Sequence, residues 1–358
     1  MTKNLFSKAG IAAAALSGAA FLAGPAQAAT PLGGLTVAVS PAGDKLVVGG
    51  DPRTIMVLDP NSLKVLSRNW IGTTIVSMAF NKDGSILAVM DTDATVHLYD
   101  PNTWKAKYTL RKHDKMTIHT DKGILAGVNS RYRGGSIEFN SLKDGSNLGK
   151  ADLGPKERVD AIGFSKDGSK LAVVFDAVKT PDEKKVGYRD IPKDLRGAAR
   201  DEFRQRNDGR MSSFRVYEVP SGKKLWEGHT YFDLGSRGKI TFDGDALVAL
   251  SYSSYGAKIP KDGNAKMFRT KNSFNYGLDL SPDGSLWLSG GLRRFSLTST
   301  KDLGNKGQGQ LRRLPGWPEY FKGFSATANN KTIYATTSAY RIVKLDGTGK
   351  IIKVAPVH

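Results

Sequence analysis

Val76-Ser77-Met78-Ala79-Phe80-Asn81-Lys82-Asp83-Gly84-Ser85-Ile86-Leu87-Ala88-Val89-Met90 opens the phrase that decides the fold, and Thr95-Val96-His97-Leu98-Tyr99-Asp100-Pro101-Asn102-Thr103 completes it. The first run alternates apolar and polar residues, as a half-buried strand does. Asp83-Gly84 then marks a tight turn, because Gly adopts positive φ without steric cost. Ile86 to Met90 is a more apolar strand. A short loop, a third alternating strand ending in Asp100, a second turn and a fourth strand through Tyr108 follow. The unit is therefore four short strands joined by turns.

The unit recurs along the chain. Its turn residues are Gly43, Gly84, Gly123, Gly168, Gly244, Gly284 and Asn330, spaced 41, 39, 45, 76, 40 and 46 residues apart. The one long gap holds a polar insertion at about 179–210, and its third strand is delayed to Phe214-Arg215-Val216-Tyr217. An isolated four-stranded sheet cannot bury both faces, so repeated units stack face to face and close into a ring. The sequence predicts an all-β, seven-bladed β-propeller of four-stranded blades. A mostly helical insertion is expected in the fourth blade, where Leu195, Ala199 and Phe203 form one apolar stripe at helical spacing. Leu195 and Phe203 are its candidate partner-binding residues.

Phrases such as Ser281-Pro282-Asp283-Gly284-Ser285-Leu286 and Thr95-Val96-His97-Leu98-Tyr99-Asp100 resemble WD40-type and YVTN-type propeller repeats. Gly228-His229 is the only Gly-His pair. With the N-terminal export pattern described below, the likeness is to the secreted bacterial YVTN or quinoprotein-like branch. The resemblance implies a propeller and leaves function open, since propellers host enzymes and passive binders alike.

The chain has 358 residues, no Cys and a formal net charge of +19. Zero Cys excludes disulfides, thiolate metal sites, c-type haem attachment and a cysteine nucleophile. Residues 1–28 read as a signal peptide, with Lys3 and Lys8 before an apolar run from Gly10 to Leu22 and a Pro25-Ala26-Gln27-Ala28 cleavage pattern. The run is too short to span a bilayer. Its removal leaves 29–358 as the propeller and takes two lysines and no acid, lowering the charge to +17. The expected location is periplasmic or secreted, with no membrane span.

In WD40-like repeats the loop between second and third strands shares one rim with the connection to the next blade. On that rim the sequence places Arg131-Tyr132-Arg133, the insertion, a fifth loop from Tyr252 and Tyr255 through Lys266, Arg293-Arg294 and Tyr340-Arg341. Arg forks and Tyr rings suit phosphate, carboxylate or sugar-acid groups. Composition alone puts a basic residue in roughly 60% of six-residue loops, so the Arg pairs are informative and single basic residues are not.

Catalytic motifs are sparse. His97, His113, His119, His229 and His358 form no recognisable ligand pair, and neither a His-Glu-x-x-His motif nor a Gly-x-Ser-x-Gly elbow is present. Ser221-Gly222-Lys223-Lys224-Leu225-Trp226 resembles a quinoprotein repeat end, but it occurs once. The reading is a non-catalytic binding or scaffold module without cofactor or metal. As a monomeric ring it would recognise an envelope or extracellular polyanion, or another protein, and nucleic acid is not expected. The alternative is a propeller enzyme at the channel mouth: a metal-dependent, lactonase-like hydrolase or, less favoured, a quinone-dependent oxidoreductase. Asp91, Asp93, Asp176 and Asp279 are its candidate carboxylates.

Overall fold

A computed structural model describes residues 34–357 except 130–134, 155–156, 176–177, 180–190, 197–198, 201–202, 204–209, 231–233, 235–237, 253–254, 262–264, 271, 273 and 317. The signal-peptide reading and Arg131, Tyr132, Arg133 and Asp176 lie outside these residues. Seven antiparallel sheets follow one another along the chain, each with its four strands in sequence order. Blades 1 to 7 span residues 35–70, 75–111, 115–152, 159–230, 239–269, 277–310 and 321–356. Blade 4 gains a two-residue fifth strand, Val178–Lys179, paired with Met211 and Arg210. Its third strand is longer than the sequence indicated, running from Arg210 to Glu218. Ala199, Arg200 and Phe203 have helical backbone, but most of the insertion lies outside the described residues and no helix is delimited among those described, so a helical insertion is not shown.

Among the described residues the apolar core divides into seven clusters, one for each boundary between neighbouring blades. Alternation along a strand explains the division. In Leu46–Gly50, Leu46 and Val48 face blade 7, whereas Val47 faces blade 2. Middle strands are thus buried on both faces and read as continuous apolar runs, while outer strands such as Ala106–Arg111 are mostly exposed.

The seven turn residues singled out in the sequence all have positive φ, from 55° at Asn330 to 81° at Gly43. The preceding Asp does not share that conformation. Its carboxylate instead accepts hydrogen bonds within the turn, as when Asp167 accepts from Ser165 and from the backbone N–H of Ser169. The Asp ending several third strands has the same kind of role. Asp59 accepts from the N–H groups of Asn61 and Ser62, Asp100 from Asn102 and Thr103, and Asp346 from Thr348 and Lys350.

Among the described residues the ring closes between four-stranded blades, with no strand exchanged across the seam. Blade 7 meets blade 1 through the Leu35–Tyr334 cluster, the Thr336 hydroxyl donating to the Leu35 carbonyl, and Tyr334 Oη donating to the Pro60 carbonyl at 3.0 Å.

Candidate functional site

Loops between second and third strands, and connections between blades, lie at one end of every blade, because each sheet is antiparallel and in sequence order. This rim carries a repeated backbone device. Arg53, Ala94, Arg293 and Tyr340 sit just before the third strand with φ of 56°, 57°, 59° and 53°. Their carbonyls accept from N–H groups one or two residues after the fourth strand: Ile71, His113, Leu311 and Val357. In these four blades the bond ties the segment after the fourth strand to the second-to-third loop of the same blade.

Blades 5 to 7 build a contiguous aromatic surface on this rim. Tyr252 comes from the second-to-third loop of blade 5, and Phe274 and Tyr276 from the connection to blade 6. Tyr320 ends the connection to blade 7. Ring centroids lie 5.7 Å apart for Tyr252–Phe274, 5.2 Å for Tyr252–Tyr276 and 4.4 Å for Tyr276–Tyr320. Leu292 bridges Tyr320 through the backbone. Phe274 and Leu292 are each 48% exposed, which marks a surface and not a core.

Beneath this surface lies a buried polar lattice. The Asn272 amide donates to Ser289 Oγ at 3.0 Å and Ser296 Oγ at 3.1 Å, and the Asn275 amide donates to the Ser251 carbonyl at 3.0 Å. The Asn275 backbone N–H donates to the Tyr252 carbonyl. Both asparagines are buried.

The residues expected from sequence separate into three groups. Tyr252 joins the aromatic surface. Arg293 and Arg294 flank it; Arg294 is exposed, and its Nε donates to Gln310 Oε1 at 3.3 Å. Tyr340 is on the same rim, with its hydroxyl 3.3 Å from Asp51 of blade 1. Arg341 begins the third strand of blade 7 and forks onto the fully buried Glu319, so its guanidinium is committed to the fold. Tyr255 corrects the fifth loop. Tyr255–Ile259 is a strand, so Tyr255 lies outside that loop, and the link from Ile259 to the strand Lys266–Arg269 belongs to the opposite rim. The Arg269 guanidinium lies 5.0 Å from the centre of the Tyr255 ring. Leu195 is half-buried, and its N–H donates to Pro192.

Sequence reasoning passed over Phe274, Tyr276, Leu292, Tyr320, Arg312 and Arg313. The available signal was the density of aromatic and arginine residues in the blade connections at 270–276 and 311–320, which share the rim with the second-to-third loops.

The channel side is charged and internally paired. Lys239 Nζ lies 3.4 Å from Asp279 Oδ1, and Asp279 Oδ2 accepts from the Phe324 N–H at 2.9 Å, linking blades 5, 6 and 7. Water reaches the Asp279 carboxyl from one side, yet protein surrounds it, and burial raises its pKa against the pull of Lys239. Burial likewise lowers the pKa of Lys115, against Asp114 and Asp160.

Three histidines have structural surroundings. His97 Nε2 is 3.1 Å from the buried Asp91. His119 bridges Lys166 O and the Lys122 N–H. His113 is 1% exposed beneath Gly127. Among the described residues no three His, Asp or Glu side chains come together to hold a metal ion. In the quinoprotein-like phrase, Gly222 supplies a φ of +72° and Trp226 packs edge-on against Phe214.

No protein-family model and no curated protein matches the sequence. Among solved structures, the chain is similar to the Myceliophteria thermophila Cps50 (Swd1) beta-propeller domain, with a TM-score of 0.56 and 11% sequence identity. The match covers 85% of this chain and 95% of that one. At that identity the likeness concerns fold alone: the chain is a seven-bladed β-propeller with a WD40 propeller as a structural neighbour.

Proposed function

We propose that the chain is an exported, non-catalytic binding or scaffold propeller that engages an anionic ligand or partner protein through the rim of second-to-third loops and blade connections. The observation that carries this reading is the aromatic surface of Tyr252, Phe274, Tyr276 and Tyr320 beside Arg293 and Arg294. Aromatic and arginine side chains on a rigid base are the groups that dominate binding surfaces. The lattice under the patch holds it in place before any partner arrives, which lowers the ordering cost of association. On this reading residues 1–28 direct export, the mature chain begins at Ala29, and the secreted YVTN-like branch is its kin.

Replacing Arg131, Arg133, Arg293 and Arg294 together with Ala should weaken salt-sensitive binding to alginate or to phosphatidylglycerol vesicles. Unchanged binding in that variant would discard the rim and leave only diffuse charge. A thermal-shift screen with divalent ions decides against the enzymatic alternative or for it. Stabilisation at low micromolar metal would show a site in the native state and overturn the non-catalytic reading.

A further inference from the structure

We propose that the blade 5–7 sector of the rim docks an acidic protein segment that carries an aromatic or aliphatic side chain among its carboxylates. The inference rests on the rim reading above and narrows it to one sector and one partner chemistry.

Two properties of the sector meet there. The first is apolar. Phe274 and Leu292 expose about half their surface, and the rings of Tyr252, Tyr276 and Tyr320 continue the patch. Phe274 and Leu292, its most exposed members, carry no hydrogen-bonding group, so this part of the patch suits an apolar side chain. The rings pack against one another and against a folded base. A Cβ on Gly291 would stand 2.3 Å from the Phe274 carbonyl, so this loop lies directly on blade 6.

The second property is uncompensated charge. Arg293 reaches the connection to blade 7 by two backbone hydrogen bonds, its N–H to the Glu319 carbonyl and its carbonyl from the Leu311 N–H. Arg312 and Arg313 follow Leu311 and are exposed, as is Arg294. Among the described residues none of these four arginines is within ion-pair distance of a carboxylate. Glu319 is the sole acid in 311–320, and it is buried against Arg341. The sector therefore presents guanidinium groups that have no carboxylate partner among the described residues, Arg294 donating to the neutral Gln310, next to an apolar surface. Carboxylates flanking an apolar anchor complement both.

The test is fluorescence anisotropy with a labelled peptide of Asp and Glu carrying one Phe and one Leu, against the mature chain. Binding should weaken about tenfold in Arg312→Glu/Arg313→Glu, in Phe274→Ser/Leu292→Ser, and when the peptide's Phe and Leu are replaced by Ser. All the substituted side chains are exposed or half-exposed, and Leu292→Asn alone serves if the apolar double variant folds poorly. Equal binding of the Ser peptide, or indifference to Phe274 and Leu292, would overturn the inference. Alginate or phosphatidylglycerol vesicles binding through the arginines without dependence on Phe274 would also overturn it, while leaving the rim reading intact. If no anionic probe responds to any rim variant, both readings fall.

Discussion

Arg341 lays two donors on Glu319 across the junction of blades 6 and 7: Nε donates to Oε1 at 2.8 Å and Nη2 to Oε2. Glu319 is inaccessible to water, and the Arg341 side chain is 18% exposed. Removing one partner would strand a buried charge. Arg341→Ala should therefore cost about 3–5 kcal/mol in a denaturant titration. Arg341→Lys should recover only part of the loss, because an ammonium cannot reproduce the paired fork. A full recovery by Lys would show that charge, not geometry, holds this junction.

Two glycines separate backbone strain from blade spacing. Gly244 has φ of +61°, and a Cβ there would meet nothing within 4 Å. Gly244→Ala should cost only the left-handed penalty, about 1 kcal/mol. Gly163 has ordinary φ, but a Cβ would stand 1.9 Å from the Ile240 carbonyl of the next blade. Gly163→Ala must push blades 4 and 5 apart, at about 3 kcal/mol or more. Equal denaturation midpoints for the two variants would contradict the close approach of these inner strands.

His113 makes stability depend on pH near neutrality. Burial holds its pKa below the ordinary 6.5, against the opposing pull of Glu138 and Asp114. The unfolded chain then binds the proton more readily than the folded one. The neutral ring's contribution is complete above 6.5 and is lost as pH falls through the lower folded value. The thermal midpoint should decline between about pH 7 and pH 5. A His113→Gln variant should show a shallower slope over that window; an identical slope would assign the effect to other groups.

The turn-capping aspartates act at more acidic pH. Backbone hydrogen bonds from Ser62, Asn102 and their neighbours hold Asp59 and Asp100 below the usual 3.8, and the Thr348 hydroxyl and Lys350 N–H do so for Asp346. Their contribution is present above 3.8 and disappears as pH drops through the folded values. Acid titration followed by circular dichroism should therefore show a flatter profile below pH 3.8 for the triple Asp→Ser variant at 59, 100 and 346. An unaltered profile would remove these caps from the acid transition.

The sequence carried the ring because its signals are local. A positive φ at Gly84 or Asn330, an apolar run at Leu46–Gly50 and a capping Asp100 each act within a few residues, so they recur wherever the unit does. It also exposed Tyr252 and the Arg293-Arg294 pair as surface loops. It could not show that Arg341 is spent on Glu319, twenty-two residues earlier, or that Tyr255 had already entered a strand. Nor could it show that Tyr252 meets Tyr276, and Tyr276 meets Tyr320, across blade boundaries. Such neighbours are set by how blades stack and how connections cross the rim. Turn chemistry is written in adjacent residues, whereas a binding surface on a ring is assembled from segments that only closure brings together.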